Sequence, residues 1–260
     1  MAGITRDELG TYFWTLLDAT PGAWLAPLGL PRLIGFWCNQ FDEDCTWYDL
    51  MGGCGDLAAT GCTVADIAIA STWPADLVPY IALDGVNDYF SVADNAANSV
   101  TGALTIGVWF YIDTGGEKDV NGLWGKGNLA GDTLSYYGYV DNDDLLSVGI
   151  TSNGDADTTN FYTQVTGATA GTWHLAVMRF TPSTAIEGYL MGENGAGNYT
   201  SPPASIYNSV NLFSLGLTLE TAAYGLDGRI AQAWVCQAAV DNNVLDWLYK
   251  VQAPLFGAAV

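Results

Sequence analysis

Asp84, Asn87 and Asp88 crowd a single glycine, Gly85, in the stretch ALDGVNDYFSV at 82–92. Side-chain oxygens at this spacing do one of two things. They bind a hard cation: Ca²⁺ takes about six to eight oxygen ligands from converging loops. Asp84 and Asp88, joined by Asp227 from a distant part of the chain, are the candidates for that site. Alternatively they cap the amides of a turn in which Gly85 supplies a positive φ. The alternating strand from Tyr89 to Val92 then begins a sheet. The acid-rich turns DNDD (141–144) and NGDAD (153–157) lack the full D-x-D-x-D-G…E pattern and read as solvated hairpin tips.

Hydrolytic chemistry has little to work with. A glycoside hydrolase needs two carboxylates about 5–10 Å apart across a cleft. The glutamates (Glu8, Glu43, Glu117, Glu187, Glu193 and Glu220) are scattered, no E-x-D-x-x-E strand occurs, and no G-x-S-x-G is present. The one histidine, His174, lies inside a β pattern beside Trp173 and reads as a packing residue. A non-enzymatic protein is expected.

Five cysteines do not match paired C-x₂-C knuckles, and one histidine cannot complete a zinc set. Local disulfides are the expectation: Cys54–Cys62, closing a Gly-rich loop, and Cys38–Cys236 if their strands are neighbours. Ten tryptophans invite a sugar-stacking reading. Trp37, Trp109, Trp173 and Trp234 fall inside strands and belong to the core. Trp47, Tyr48, Trp73 and Trp124 fall in or beside loops and are the glycan-binding candidates. The alternative is that they pack the long 39–79 loop onto the domain.

The elements that must position these groups are mostly strands. Short alternating runs occur at 33–38, 80–85, 88–92, 103–112, 134–140, 145–151, 161–166, 172–181, 186–191, 211–219 and 228–237. Turn clusters such as DNDD, SNGD, GATAG and ENGAGN separate them, which predicts an antiparallel sandwich. A helix over 240–252 is predicted with Asp241 as N-cap and Val244, Leu245, Leu248 and Tyr249 buried. A second helix is predicted over 5–17. Thr5-x-x-Glu8 opens it, and Leu9, Tyr12, Phe13, Leu16 and Leu17 form one apolar face. Pro21, Pro27 and Pro31 then break an apolar arm, giving an organisation of arm 1–32 and β-domain 33–260. The arm either folds back on its own domain or docks on another protein.

With 28 acids against 7 bases the net charge is −21, and no basic stripe exists. Nucleic acids and anionic membranes are therefore excluded as partners. No signal peptide and no membrane-spanning run is expected. The sequon Asn198-Tyr199-Thr200 is an acceptor only in a eukaryotic secretory route.

The order of motifs resembles the laminin G-like jelly rolls of the concanavalin A-like lectin/glucanase superfamily. LIGFWC with DEDCTWYDLMGGCGDLAATG, then LDGVNDYFSV, ALTIGVWFYI with LWGKG, GTWHLAVMRF, and LDGRIAQAWVCQAAVDNNVLDWLY are similar to its landmarks, in order, over about 33–251. The resemblance implies an all-β antiparallel jelly roll, here with an N-terminal helical arm and a C-terminal helix. It also implies calcium as the one cofactor to consider. That family's "I-D-E-V" acids are Ala231 and Gln232 here, which favours the turn reading of Asp84 and Asp88.

Two functions follow as expectations. The first is a non-catalytic structural subunit of a virion or filament, a head-decoration or tail-appendage protein, with the arm docking on neighbouring subunits or on itself. The second is a carbohydrate-binding lectin or adhesin module acting at an extracellular surface.

Overall fold

The computed structural model describes residues 32–38, 45–62, 66–69, 79–113, 119–128, 131–155, 160–192, 195–218 and 224–258. In chain order the strands are β1 (Leu33–Cys38), β2 (Ala58–Thr60), β3 (Ile67–Ile69), β4 (Pro79–Asp84), β5 (Tyr89–Val92), β6 (Leu104–Ile112), β7 (Val120–Lys126) and β8 (Tyr136–Asp141). There follow β9 (Leu145–Thr151), β10 (Asn160–Thr166), β11 (Trp173–Thr181), β12 (Ala185–Met191), β13 (Gly195–Thr200), β14 (Phe213–Leu215) and β15 (Asp227–Cys236). Helix α1 (Asn242–Gln252) and a 3₁₀ turn (Ala253–Phe256) close the described chain. The arm residues Leu9, Tyr12, Phe13, Leu16 and Leu17 lie outside the described residues.

Two antiparallel sheets form a sandwich. One has the order β13-β12-β11-β6-β15-β4-β3, with β1 also on β15, and the other β10-β9-β8-β7-β14-β5-β2. Strand β15 serves two partners, β4 along 227–230 and β1 along 232–236, with a bulge at Ala231 between them. Ala231 is itself buried, in the position the family resemblance gives to an acid.

Side chains alternate across a strand, so each sheet sorts its residues between two faces. In β6, Leu104, Ile106, Val108, Phe110 and Ile112 join the core between the sheets, with Phe90, Trp124, Tyr136, Val148 and Phe213 opposite. His174 sits in that layer, 5.6 Å from the Phe110 ring, with Nε2 bonded to the Thr169 carbonyl at 2.9 Å. Trp109 points to the other side of β6, where α1 and the 3₁₀ turn cover the first sheet. Its ring stacks on Phe256 at 4.0 Å and its Nε1 donates to Gln252 at 2.7 Å. Asp241 caps the helix as expected, accepting from the Asn243 amide at 2.8 Å.

The structure adds strands in stretches that read as loops. Three of these are β2 and β3, inside the 39–79 segment, and β13, which takes over part of the ENGAGN turn. Glycine is needed in β13 because the two sheets approach there. A Cβ on Gly197 would come within 2.3 Å of Thr163 Oγ1. The segment before β2 is tied down by Asp49, whose Oδ1 accepts the amides of Phe36 and Met51 and whose Oδ2 accepts that of Gly55.

Lys126 is fully buried between the sheets. Its ammonium bonds to Asp94 at 2.6 Å, Asn98 Oδ1 at 3.0 Å and the Asn211 carbonyl at 3.0 Å, locking two loops to β7. Burial raises the Asp94 carboxyl, but the bonds from Lys126 and Ser99 outweigh it and hold it below its ordinary value. Asp94→Asn leaves a buried cation without its counter-charge and is expected to cost about 3 kcal/mol in urea unfolding. Lys126→Met frees an Asp94 that already touches water and should stay within about 1 kcal/mol of the parent. Because the folded carboxyl is depressed, this stabilisation is present at neutral pH and lost as pH falls below about 4.

Candidate functional site

Of the two outer faces, the one on the second sheet reaches solvent at β10, while its β8 and β9 residues Tyr137, Gly149 and Ser147 are buried. In β8, Tyr136 and Val140 point into the core, so Tyr137 and Tyr139 point out. Register then aligns two rows across four strands. One is Gly125, Tyr137, Gly149, Tyr162, and the next is Gly122, Tyr139, Ser147, Gln164.

The Tyr137 ring lies across Gly149, where a Cβ would come within 2.6 Å of its hydroxyl. Tyr139 stacks beside it at 5.8 Å with planes 16° apart. The second row is a polar line: Tyr139 hydrogen-bonds Ser147, and Gln164 Nε2 donates to Ser147 Oγ at 2.9 Å. Tyr162 is 48 % exposed and Gln164 is also exposed, so the β10 side meets solvent. On the β7 side the segment around Thr218 and Tyr224 rises over Gly122 as a wall, with the Tyr224 carbonyl 2.2 Å from where a Cβ would stand.

Burial pushes the Tyr139 phenol up from its ordinary value. The Ser147 bond opposes this, and nearby Asp141 adds to it. The phenol is therefore neutral at physiological pH and acts as a hydroxyl, not as a charge. The exposed Tyr162 ring and Gln164 amide can stack on the apolar side of a sugar and bond its hydroxyls.

The residues singled out from sequence lie elsewhere. Trp47 and Trp124 are wholly buried and offer no face to a ligand, which corrects their assignment. Trp47 packs edge-on against Phe90 at 5.4 Å, and Trp124 fills the space left by Gly138. Tyr48 is 38 % exposed, but its loop leads into β2, at the opposite edge of the sheet from Tyr162. Trp73 lies outside the described residues. Tyr139, Tyr162 and Gln164 lie on strands β8 and β10, where composition alone does not mark an exposed ring or amide. The available signal was tyrosine at alternate positions in YYGY and the Tyr-x-Gln of FYTQ, opposite core residues.

The three acids proposed for calcium do not form one cation site. Asp84 Oδ1 accepts the amides of Val86, Asn87 and Asp88, at 2.8, 3.0 and 3.2 Å, and Asp88 Oδ2 accepts the Asp84 amide at 3.1 Å. Asp227 stands opposite Asp84 in the β15–β4 register. Among the described residues no group of three acids, cysteines or histidines is placed to hold a metal ion.

Neither proposed disulfide is formed. Cys54, Cys62 and Cys236 are thiols, and register places Cys38 opposite Gln232 while Cys236 faces Leu33. Burial pushes all three thiols up to about 12.

No family model matches the chain, and no curated protein matches it in sequence. Solved structures do match in fold. The binding domain of Paraclostridial Mosquitocidal Protein 1 aligns over 85% of this chain with a TM-score of 0.63 at 13% identity. The binding domain of botulinum neurotoxin DC, solved in complex with SialylT, aligns over 85% with a TM-score of 0.60 at 10% identity. Trypanosoma rangeli sialidase aligns over 86% with a TM-score of 0.57 at 15% identity. The chain spans 52%, 51% and 33% of those chains respectively. The likeness is one of fold, a β-sandwich.

Two expectations follow for solution behaviour. A reductant should leave the melting temperature unchanged, and thiol reagents should label the cysteines only on unfolding, since it is the thiolate that reacts. EDTA or millimolar Ca²⁺ should likewise leave the melting temperature unchanged, because a ligand that binds only the folded state would raise it.

Proposed function

We propose that this chain is a non-catalytic carbohydrate-binding module, and that the exposed β10 side of the second sheet's outer face, around Tyr162 and Gln164, holds the sugar. The observation that carries the reading is the solvent-facing Tyr162 and Gln164 beside the Tyr139–Ser147–Gln164 hydrogen-bonded line. A sugar ring stacks on tyrosine while its hydroxyls exchange water for these groups. Lectin-like neighbours described as binding domains, one of them in complex with a sialylated ligand, support the class. They match over about half of their length, so their ligands are not carried over. Within this reading the motif order resembles that of laminin G-like modules, and the place of work is an extracellular surface where glycans are displayed.

The particle-subunit expectation rests on the arm, which lies outside the described residues except for Arg32. The fold neighbours favour the glycan reading instead. Among the described residues no helix is long and apolar enough to cross a membrane.

The test is a glycan array followed by titration calorimetry on the best binders. Tyr162→Ala and Gln164→Ala should each weaken binding about tenfold or more, which is ~1.4 kcal/mol per factor of ten. Tyr48→Ala should leave binding unchanged, and all three variants should keep the parent's circular dichroism. Binding that survives Tyr162→Ala and Gln164→Ala but is lost with Tyr48→Ala would move the site to the opposite edge.

A further inference from the structure

We infer that the tyrosine face selects neutral saccharides and rejects those carrying carboxylate or sulfate. This rests on the glycan-binding reading of the face and goes beyond it by naming the ligand class. The argument is the distribution of charge. The described cations lie elsewhere: Lys126 is buried between the sheets, and Arg179 and Arg229 sit on β11 and β15 of the first sheet. Arg179 is held by Glu187 at 2.7 Å, and Arg229 is held by Asp113 at 2.7 Å and by the Tyr80 and Tyr111 rings. Lys250 is on α1, which covers the first sheet, and Arg32 precedes β1. Arg6 and Lys118 lie outside the described residues.

The acids, by contrast, sit at the ends of this face. Asp141 closes β8, and Asp143 and Asp144 form the turn into β9. Asp119 stands beside them, accepting from Asn142 at 3.4 Å. At the other end Asp132 and Asp155 flank the approach of Leu134 to Gly154, whose backbone bond is 3.0 Å. An anionic sugar docked on Tyr162 meets carboxylates at both ends and no described guanidinium or ammonium to pair with. Its own charge is desolvated without compensation, and the field of a chain with net charge −21 opposes its approach. The exposed hydrogen-bonding groups on the face, the Tyr162 phenol and the Gln164 amide, suit sugar hydroxyls. Sialylated ligands, named for one of the fold neighbours, are therefore expected non-ligands here.

The experiment compares matched probes on the full chain: lactose against sialyllactose, and N-acetylchitohexaose against a hyaluronan oligosaccharide, with maltohexaose and hexagalacturonate as a third pair. Binding is titrated at low and at high salt. The expected result is binding of at least one neutral probe, lost in Tyr162→Ala, with its acidic counterpart about tenfold weaker at low salt. That gap should narrow as salt is raised, since the Debye length falls from about 30 Å at 0.01 M to about 8 Å at 0.15 M. Asp119→Asn combined with Asp143→Asn should narrow it too. Acidic probes that bind as well as neutral ones and depend on Tyr162 overturn the inference and leave the site standing. A gap indifferent to salt and to the two substitutions also overturns it, because its cause is then not charge. Failure of every probe, neutral and acidic, overturns the glycan-binding reading itself.

Discussion

Strand side chains alternate, so two stacked sheets present four faces, and each must be buried or made tolerable to water. Here the two inner faces bury each other. The outer face of the first sheet is covered by α1 and the 3₁₀ turn, held through Trp109 against Phe256 and Gln252. The fourth face is buried over β8 and β9, where Tyr224 packs with Tyr137 and Tyr139, and reaches solvent at β10. Because its neighbours are fixed, its surface is rigid: Tyr139 and Tyr162 stand on strands whose other side is core. A rigid face with its rings already placed loses little conformational entropy on binding, which is what a shallow ligand site requires.

The packing that makes this possible relies on rings set against missing side chains. Trp234 lies over Gly107, Trp124 over Gly138 and Tyr137 over Gly149, where a Cβ would come within 2.2, 2.3 and 2.6 Å of the ring. Each pairing sinks a large ring toward the sheet surface. That keeps the inner layer tight for Trp124 and flattens the outer one for Tyr137. It also explains why a chain with so few long charged side chains carries so many glycines and aromatics: a ring needs an empty neighbour to lie flat. Gly197 has the same role between sheets, letting β13 meet β10 where any Cβ would collide with Thr163.

Much of the architecture was legible in the sequence, because alternation in runs such as LTIGVWFYI and WHLAVMRFT records burial directly. Strand β13 was not, because GAGN carries turn composition while its backbone pairs with β12. Its glycines answer a tertiary contact that no local pattern shows. The candidate site was half legible. Tyr137 and Tyr139 share a face by simple parity, but that this face reaches solvent at β10 and not at Tyr137 depends on where Tyr224 packs. The tryptophans misled for the opposite reason: Trp47 and Trp124 border loops in sequence, yet the loop at 45–57 is folded onto the sandwich by Asp49, and the bulge in β7 turns Trp124 inward. The Cys54–Cys62 expectation read closeness in sequence as closeness in space.

An open aromatic face on a sheet is also a hazard, since two copies bury it by stacking on each other. The acids at its ends address that hazard. A second copy brings Asp119, Asp143 and Asp155 of its own, and at net charge −21 the long-range field already keeps copies apart. A neutral sugar carries no such penalty and has hydroxyls for Gln164 and the Tyr162 phenol. The same charge pattern thus serves solubility and ligand choice together. Under the proposed reading the scarcity of Lys and Arg bears on ligand choice, since a lysine beside Tyr162 would invite both anionic ligands and the acid-rich ends of a neighbouring copy.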